Sequence, residues 1–341
     1  MINPIIIAID AMGGDNSPTK VIEGISLHSK NSQGVNYKIF GKKDLIIPLL
    51  SKYEIPNERL NLIHTDSIVE GGDTALSAAK RGKNTSLWLA VESLKNNEAH
   101  AMVSAGNTGA LFLISKLNLK MIENIDKPAL SALWPSKKGM NIVLDLGANI
   151  ECNSKNLIDF SIMGSALHKA LFDNEKPYVA LLNIGSEELK GNAVIKNTYK
   201  ILSEKKYNLF DFKGYIEGNQ IMDGEVNVIV SDGFTGNVAL KTAEGTAKFI
   251  TDNLKKSLTE NLFSKISLIF SYFSLKKFKK KLDPRKYNGA IFLGLNGPVV
   301  KSHGGTDAVG FYHSMDLCYK IVKGDLMLQI KKNLSHLNEE K

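Results

Sequence analysis

The residue types able to do chemistry in this 341-residue chain gather where short apolar runs give way to glycine. The first such place is Ile9-Asp-Ala-Met-Gly-Gly-Asp-Asn-Ser-Pro18, where Gly13 and Gly14 sit between Asp10 and Asp15. A turn accounts for the glycines but not for Asp10 at the end of so apolar a run. An unpaired buried carboxylate is costly, so Asp10 is expected to have donors or a ligand beside it. The second place is Val103-Ser-Ala-Gly-Asn-Thr-Gly109, with Ser104, Gly106, Asn107 and Thr108. Its pattern recurs at Val230-Ser-Asp-Gly-Phe-Thr-Gly236, with Asp232 and Gly233 and then Asn237. Both turns follow a strand pattern and open a helix pattern. Free N–H groups and the positive end of a helix dipole favour an anion there, and glycine lets the backbone come close to it. One such turn is equally explained by a need for Gly and a Thr cap. Two of the same kind point to a phosphate-type ligand.

Further loops repeat the theme: Leu144-Asp-Leu-Gly-Ala-Asn149, Leu182–Asn192 with Lys190, Gly218-Asn219, Gly294–Pro298, and Lys301-Ser-His-Gly-Gly-Thr-Asp307 with His303. Glycine with Asn, Asp and an occasional Lys suits polar anions and the orientation of carbonyl groups. No Walker loop, G-x-G-x-x-G or H-E-x-x-H is present, and no G-x-S-x-G elbow of an acyl-serine hydrolase. The seven histidines are scattered without ligand spacing, so a metal site is not expected, with a magnesium ion on grouped Asp residues as the alternative, and no cofactor is expected. Cys152 and Cys318 lie far apart; neither a zinc ribbon nor a disulfide framework is expected, and Cys152 reads as a small buried residue before it reads as a nucleophile.

The elements that must position these loops are legible. Apolar runs at Ile5–Ile9, Tyr37–Phe40, Leu60–His64, Ala101–Ser104, Ile142–Leu146, Tyr178–Asn183 and Val226–Ser231 lack clean alternation, as strands covered on both faces do. Helical patterns lie between them, among them Asp73–Leu94, Thr108–Leu119 and Gly236–Leu254. Alternating strands and helices predict an α/β fold with a mainly parallel sheet. The expectation is one body over residues 1–341, with residues 250–285 protruding. Met1–Asp15 lacks a basic start and reads as a buried strand, not a signal peptide, and no apolar stretch is long enough to span a bilayer. A cytoplasmic protein with at most peripheral membrane contact is expected.

At this point the sequence resembles a family. IAIDAMGGDNSP (7–18) is similar to the N-terminal signature of the PlsX-type phosphate acyltransferases of bacterial phospholipid synthesis. SAGNTGA (104–110), LDLGAN (144–149), LLNIGSEELKGN (181–192), GYIEGNQI (214–221), VSDGFTGNVALKTAEG (230–245) and DPRKYNGAIFLGLNGPVVKSHGGTD (283–307) match it in order. The resemblance runs from residue 5 to about 325 and departs mainly at 250–282. It implies a three-layer α/β/α fold like that of the isocitrate and isopropylmalate dehydrogenases and the phosphotransacetylases, usually as a homodimer. The implied reaction converts long-chain acyl-(acyl carrier protein) and inorganic phosphate to acyl phosphate and free carrier protein. A nucleotide-dependent dehydrogenase on a related fold and an inactive membrane scaffold are the alternatives. The missing Rossmann glycines count against the first, and intact Asn/Gly/Lys loops against the second.

The residues suit that reaction. Phosphate has a dianion available near neutrality and a thiolate leaves readily, so positioning and oxyanion stabilisation remain to be supplied. Direct attack without a covalent acyl-enzyme is expected. Lys190 is assigned charge stabilisation at phosphate or oxyanion, with a solvated loop lysine as its alternative. Asn107 and Thr108 are expected to bind phosphate, and Asp232, Gly233 and Asn237 to bind phosphate or orient the thioester arm. Asp10 and Asp15 are expected to organise donors around Gly13, Gly14, Ser104 and Gly106. Asn149, Asn192 and Asn219 are further hydrogen-bonding candidates. His303 is the general-acid candidate, with a loop-capping imidazole as the equal alternative.

The formal charge of +8 is local: residues 248–286 hold eleven basic and three acidic residues, and the remainder balances. Within 254–282, Leu258, Leu262, Ile266, Ile269 and Phe273 form a helical stripe widened by Phe263 and Phe270, followed by Lys276, Lys277 and Lys280. Three readings are open: a core or dimer-interface helix, an interfacial helix on anionic membrane, or a dock for the acidic carrier protein aided by Arg285 and Lys286. Contact with a membrane glycerol-3-phosphate acyltransferase belongs to the second. Nucleic acid is not expected, because the aromatics lie on the apolar stripe and not among the lysines.

Overall fold

The computed structural model describes residues 4–172, 176–205, 207–281 and 283–339. An eleven-stranded sheet carries the fold, in the order β3-β2-β1-β4-β11-β10-β5-β6-β9-β7-β8. Seven strands lie where apolar runs predicted them: β1 (Ile5–Asp10), β2 (Val35–Gly41), β3 (Leu60–His64), β4 (Ala101–Ser104), β6 (Gly139–Leu144), β7 (Tyr178–Asn183) and β9 (Val228–Val230). Four others were not foreseen. β5 (Ala129–Ser136) contains Pro135 and two serines, and β8 (Asp211–Glu217) is a charged edge strand whose register shifts at Lys213–Gly214. β10 (Ala290–Leu293) and β11 (Val299–Lys301) are too short to show a period.

Strands β3, β2, β1, β4 and β11 are mutually parallel, and so are β6, β9, β7 and β8. Antiparallel pairings of β10 with β11, β10 with β5, and β5 with β6 join the two groups. The groups therefore run against each other, and their strand exits make two separate sets of loops.

Both sheet faces are buried, which explains the runs without alternation. On β1, Ile7 and Ile9 enter one core and Ala8 another; on β7, Val179 and Leu181 face one way and Ala180 and Leu182 the other. The first face is covered by α1 (Thr19–Asn31), α2 (Lys43–Tyr53), α6 (Ser154–Phe172), α7 (Ala193–Glu204), α10 (Ala308–Lys323) and α11 (Leu326–Glu339). The second is covered by α3 (Ala75–Arg81), α4 (Ser86–Lys95), α5 (Thr108–Leu119) and the base of α8 (Gly233–Thr259). The architecture is α/β with helices on both faces, as expected.

The helix expected over Asp73–Leu94 is interrupted. A 3-10 turn at Gly82–Asn84 separates α3 from α4. Gly82 lies so close under Trp88 that a Cβ would come within 2.9 Å of its ring. Thr85 starts the second helix afresh, its hydroxyl accepting from Trp88 N at 3.2 Å. After Ala243, α8 leaves the sheet, and α9 (Leu262–Lys281) follows it after a two-residue break. Phe249 and Ile250 on α8 and Phe263, Phe270 and Phe273 on α9 are exposed, the last three by more than four-fifths. The side chains of Leu262, Ile266 and Ile269 lie outside the described residues.

Candidate anion-binding site

The exits of β1, β4 and β11 converge. Asp10 ends β1 almost fully buried and accepts from Ser86 Oγ at 2.7 Å, Ser104 Oγ at 2.7 Å and Met12 N at 3.2 Å. The expectation that Asp10 has donors is met by serines from α4 and β4. Burial pushes its carboxyl above the usual range; these bonds and the Lys301 charge pull the other way. Ser104 in turn accepts from Gly106 N at 3.0 Å. Gly13 must be glycine because the two exits touch: a Cβ there would lie 2.5 Å from Gly106 N. Gly14 has φ +85° and would press a Cβ to within 2.8 Å of Lys20 Nζ. Asp15 is exposed, and its N–H donates to Gly304 O at 3.0 Å, which stitches the β1 loop to the β11 loop.

Two lysines that the sequence did not single out complete the group. Lys20, in the first turn of α1, is 4% exposed and donates from Nζ to Gly304 O. Lys301, the last residue of β11, donates to Ser302 O, with Ala105 O at 3.5 Å. Among the described residues neither ammonium forms an ion pair with a carboxylate, and both donate to backbone carbonyls. Burial lowers Lys20, with Asp15 opposing. Burial first and the Lys20 charge second push Lys301 down to about 8, with Asp10 opposing. Two ammonium groups held on backbone carbonyls, Lys20 buried and Lys301 partly so, with Asp15 and Asp10 as opposing charges, lie beside glycine turns and the N-terminus of α5, an arrangement suited to a multiply charged anion.

The other candidates of this group are placed around it. Asn107 is the N-cap of α5, accepting from Ala110 N at 3.0 Å, and its amide donates to Gly71 O and Asp73 O. Its side chain is thus occupied in holding the 71–73 loop. Thr108 is exposed at the helix start. His303 is exposed, its Nδ1 accepting from Gly305 N at 3.2 Å, and its own N–H donates to Asn288 Oδ1 at 3.0 Å.

The second set of loops follows β6, β9, β7 and β8. Asp145, fully buried, accepts from Leu130 N, Gly147 N, Ala148 N, Asn149 N and Asn149 Nδ2 at 2.8–3.1 Å. Burial raises its carboxyl while these bonds oppose. Asn149 also donates to Pro128 O at 2.6 Å, and Asp232 caps α8, accepting from Thr235 N and Oγ1 at 2.8 Å. Gly233 and Gly236 are close-approach positions, where a Cβ would meet Asn149 O at 2.4 Å and Asp145 O at 2.0 Å. Asn192 caps α7, accepting from Ile195 N at 2.9 Å. Lys190, Asn219 and Asn237 are exposed. Cys152 is partly buried and its thiol is pushed up to about 11 by burial and then by Asp145, which suits a structural residue.

Among the described residues no hydrogen bond or ion pair joins the two sets. The two similar turns at 103–109 and 230–236 both open helices as read, yet they belong to oppositely running strand groups. Lys20 and Lys301, not Lys190, sit with Asp10, Gly13, Gly14, Ser104 and Gly106. Arg285, expected on a docking surface, is spent within the chain: it pairs with Asp283 at 2.7 Å and with Asp307 at 2.8 Å, and both partners raise its pKa. Lys276, Lys277 and Lys280 on α9 are exposed. Grouped Asp, Glu, His and Cys able to hold a metal are absent among the described residues.

The fold is shared with known phosphotransacetylases. A phosphotransacetylase from Streptococcus pyogenes shares the fold with TM-score 0.61 at 14% identity, covering 96% of this chain and 95% of that one. EutD phosphotransacetylase from Staphylococcus aureus does so with TM-score 0.58 at 15% identity, over 94% and 93%. The family described as "Fatty acid synthesis protein" matches residues 5–329. Proteins called phosphate acyltransferase in Pelagibacter ubique and Maricaulis maris are 60% and 43% identical, over 96% of this chain and 98% and 94% of theirs. The chain belongs to this family of enzymes, the phosphate acyltransferases of fatty acid and phospholipid synthesis.

Proposed function

We propose that the acyl donor is a long-chain acyl thioester on acyl carrier protein, that inorganic phosphate attacks it directly, and that acyl phosphate and free carrier protein leave. The observation that carries the reading is the pair of ammonium groups of Lys20 and Lys301, held on backbone carbonyls beside the glycine turns and in no ion pair among the described residues. A phosphate dianion supplies counter-charge to both. Glycine turns at 13–14 and 304–305 allow the substrate to approach the backbone closely. The attacking oxygen needs no strong base and the departing thiolate is stable, so orientation and charge neutralisation carry the rate. Lys190, Asn192 and Asn219 lie at the exits of β7 and β8, in the other set of loops, and are not assigned to phosphate. The exposed phenylalanines and lysines of α9 support peripheral contact with anionic membrane, where a long-chain product is consumed.

The test is incubation of acyl-(acyl carrier protein) with enzyme, with and without phosphate, followed by mass spectrometry. Acyl phosphate is expected only with phosphate. Lys20→Met is expected to raise the phosphate KM by about 10-fold or more, the worth of a charge-assisted hydrogen bond, while Lys190→Ala leaves it unchanged. Isolation of a chemically competent acyl-enzyme, or phosphate saturation governed by Lys190, overturns the reading.

A further inference from the structure

One loop holds both ammonium groups. After β11, Ser302 O accepts from Lys301 Nζ and Gly304 O accepts from Lys20 Nζ. The two charges are therefore placed only as firmly as residues 302–304 are. On the sheet side, Ser302 N donates to Ser104 O at 2.9 Å and Asp15 N donates to Gly304 O at 3.0 Å. Between these two bonds a single side chain, Asn288, grips the loop. Its Oδ1 accepts from His303 N at 3.0 Å, and its Nδ2 lies 2.9 Å from Ser302 Oγ. The same Nδ2 lies 2.8 Å from Gly310 O and 3.0 Å from Ser314 Oγ, both on α10. We propose, building on the reading above, that Asn288 is a positioning residue for phosphate: it anchors the 302–304 loop to α10 and so sets where the Lys20 and Lys301 ammonium groups stand.

The grip needs an amide. His303 N can only donate and Gly310 O can only accept, so the orientation of the Asn288 amide is fixed. A carboxylate there would face Gly310 O with a second acceptor, and an apolar side chain would leave His303 N without this partner. The anchor is itself held independently of the loop. Asn288 follows the 3-10 turn Pro284–Tyr287, which Asp283 caps, and Arg285 joins Asp283 to Asp307, the cap of α10. Gly289, at φ +121°, keeps the chain close against α10, where a Cβ would come within 2.9 Å of the Leu317 side chain.

The two serines are not equivalent, although both are fully buried. The amide has two N–H groups and three oxygens around them, Ser302 Oγ, Gly310 O and Ser314 Oγ. Loss of Ser314 Oγ leaves one oxygen for each hydrogen, with the loop still attached. Loss of Ser302 Oγ also leaves one for each, but both then lie on α10 and the amide no longer holds the loop side chain.

The test is initial rate against inorganic phosphate at saturating acyl-(acyl carrier protein), and against the carrier substrate at saturating phosphate. Asn288→Ala is expected to raise the phosphate KM about 10-fold and to keep the carrier-substrate KM within about twofold. Ser302→Ala is expected to raise the phosphate KM about threefold, and Ser314→Ala to leave it unchanged. Adding Asn288→Ala to Lys20→Met is expected to cost about threefold instead of about 10-fold, since only the hold on Lys301 is left to lose. Full multiplication of the two single effects, equal effects of the two serine variants, or a near-normal phosphate KM in Asn288→Ala overturns the proposal. The serine pair decides it even where Asn288→Ala does not fold. Wild type that releases carrier protein without phosphate would instead remove the reading on which the proposal rests.

Discussion

Burial and the neighbouring Lys20 charge both work against the Lys301 ammonium, Asp10 offsets them only in part, and the balance has a sign. Lys301 lies below its ordinary value, at about 8 against 10.5. From pH 8 to 10.5 the unfolded chain binds the extra proton, so this group's contribution to stability rises with pH across that window. Below pH 8 both states carry the charge and the folded state bears its full cost. Lys301→Met is thus expected to melt above wild type in phosphate-free buffer at pH 7, with the gap closing towards pH 10. Adding phosphate at pH 7 is expected to reverse the order, since the ligand stabilises only the enzyme that binds it. Melting curves at three pH values, with and without phosphate, check this; a wild type that melts above the variant throughout sinks the idea of uncompensated charge. Asp10 was legible in sequence because a carboxylate ending an apolar strand demands an explanation. Lys20 and Lys301 were not. A lysine at a helix start or strand end usually reaches water along its stem, and only tertiary packing decides that these two do not.

At the scale of elements, strand exits do the positioning, and glycine sets how closely they approach. Gly236 opens α8 with Asp145 O beneath it, whereas Gly245, in the same helix, has open space around it. Gly236→Ala is expected to cost about 1–3 kcal/mol through overpacking. Gly245→Ala is expected to gain about 0.5–1 kcal/mol from helix propensity. Chemical denaturation of the two variants measures the difference, and equal effects would mean that α8 does not seat on the 145–149 loop. Strands buried on both faces announced themselves as unbroken apolar runs, which is why β1, β4 and β7 were readable. β5 with its proline, edge strand β8 and the three- and four-residue strands β11 and β10 carry no such period. The antiparallel contacts of β5, β10 and β11 divide the loops into two sets. The site's residues were therefore easier to list than to group. The two matching turns both read as turns for a phosphate-type ligand, and sheet direction puts them in different sets.

At the scale of the molecule, the charge excess and the uncovered apolar surface coincide. α9 presents Phe263, Phe270 and Phe273 with Lys276, Lys277 and Lys280 after them, and among the described residues no helix is long and apolar enough to cross a bilayer. A cluster of exposed aromatic side chains of this size marks an interaction surface. A lipid surface and a second copy of the chain are the two occupants to separate. Phe263→Ser/Phe270→Ser/Phe273→Ser and Lys276→Ser/Lys277→Ser/Lys280→Ser address them together. On a membrane, both triple variants should lose co-sedimentation with vesicles rich in anionic lipid. The lysine variant should lose it in proportion to salt-sensitive attraction, about 1 kcal/mol per charge near the surface. At a subunit interface, the phenylalanine variant should change mass by light scattering without any vesicle present, while the lysine variant should not. The membrane assignment predicts the first pattern with unchanged mass. It also predicts that kcat on soluble acyl-carrier protein stays within about twofold, because Lys20, Lys301 and Asp10 lie on β1, β11 and α1, elements that the arm does not build.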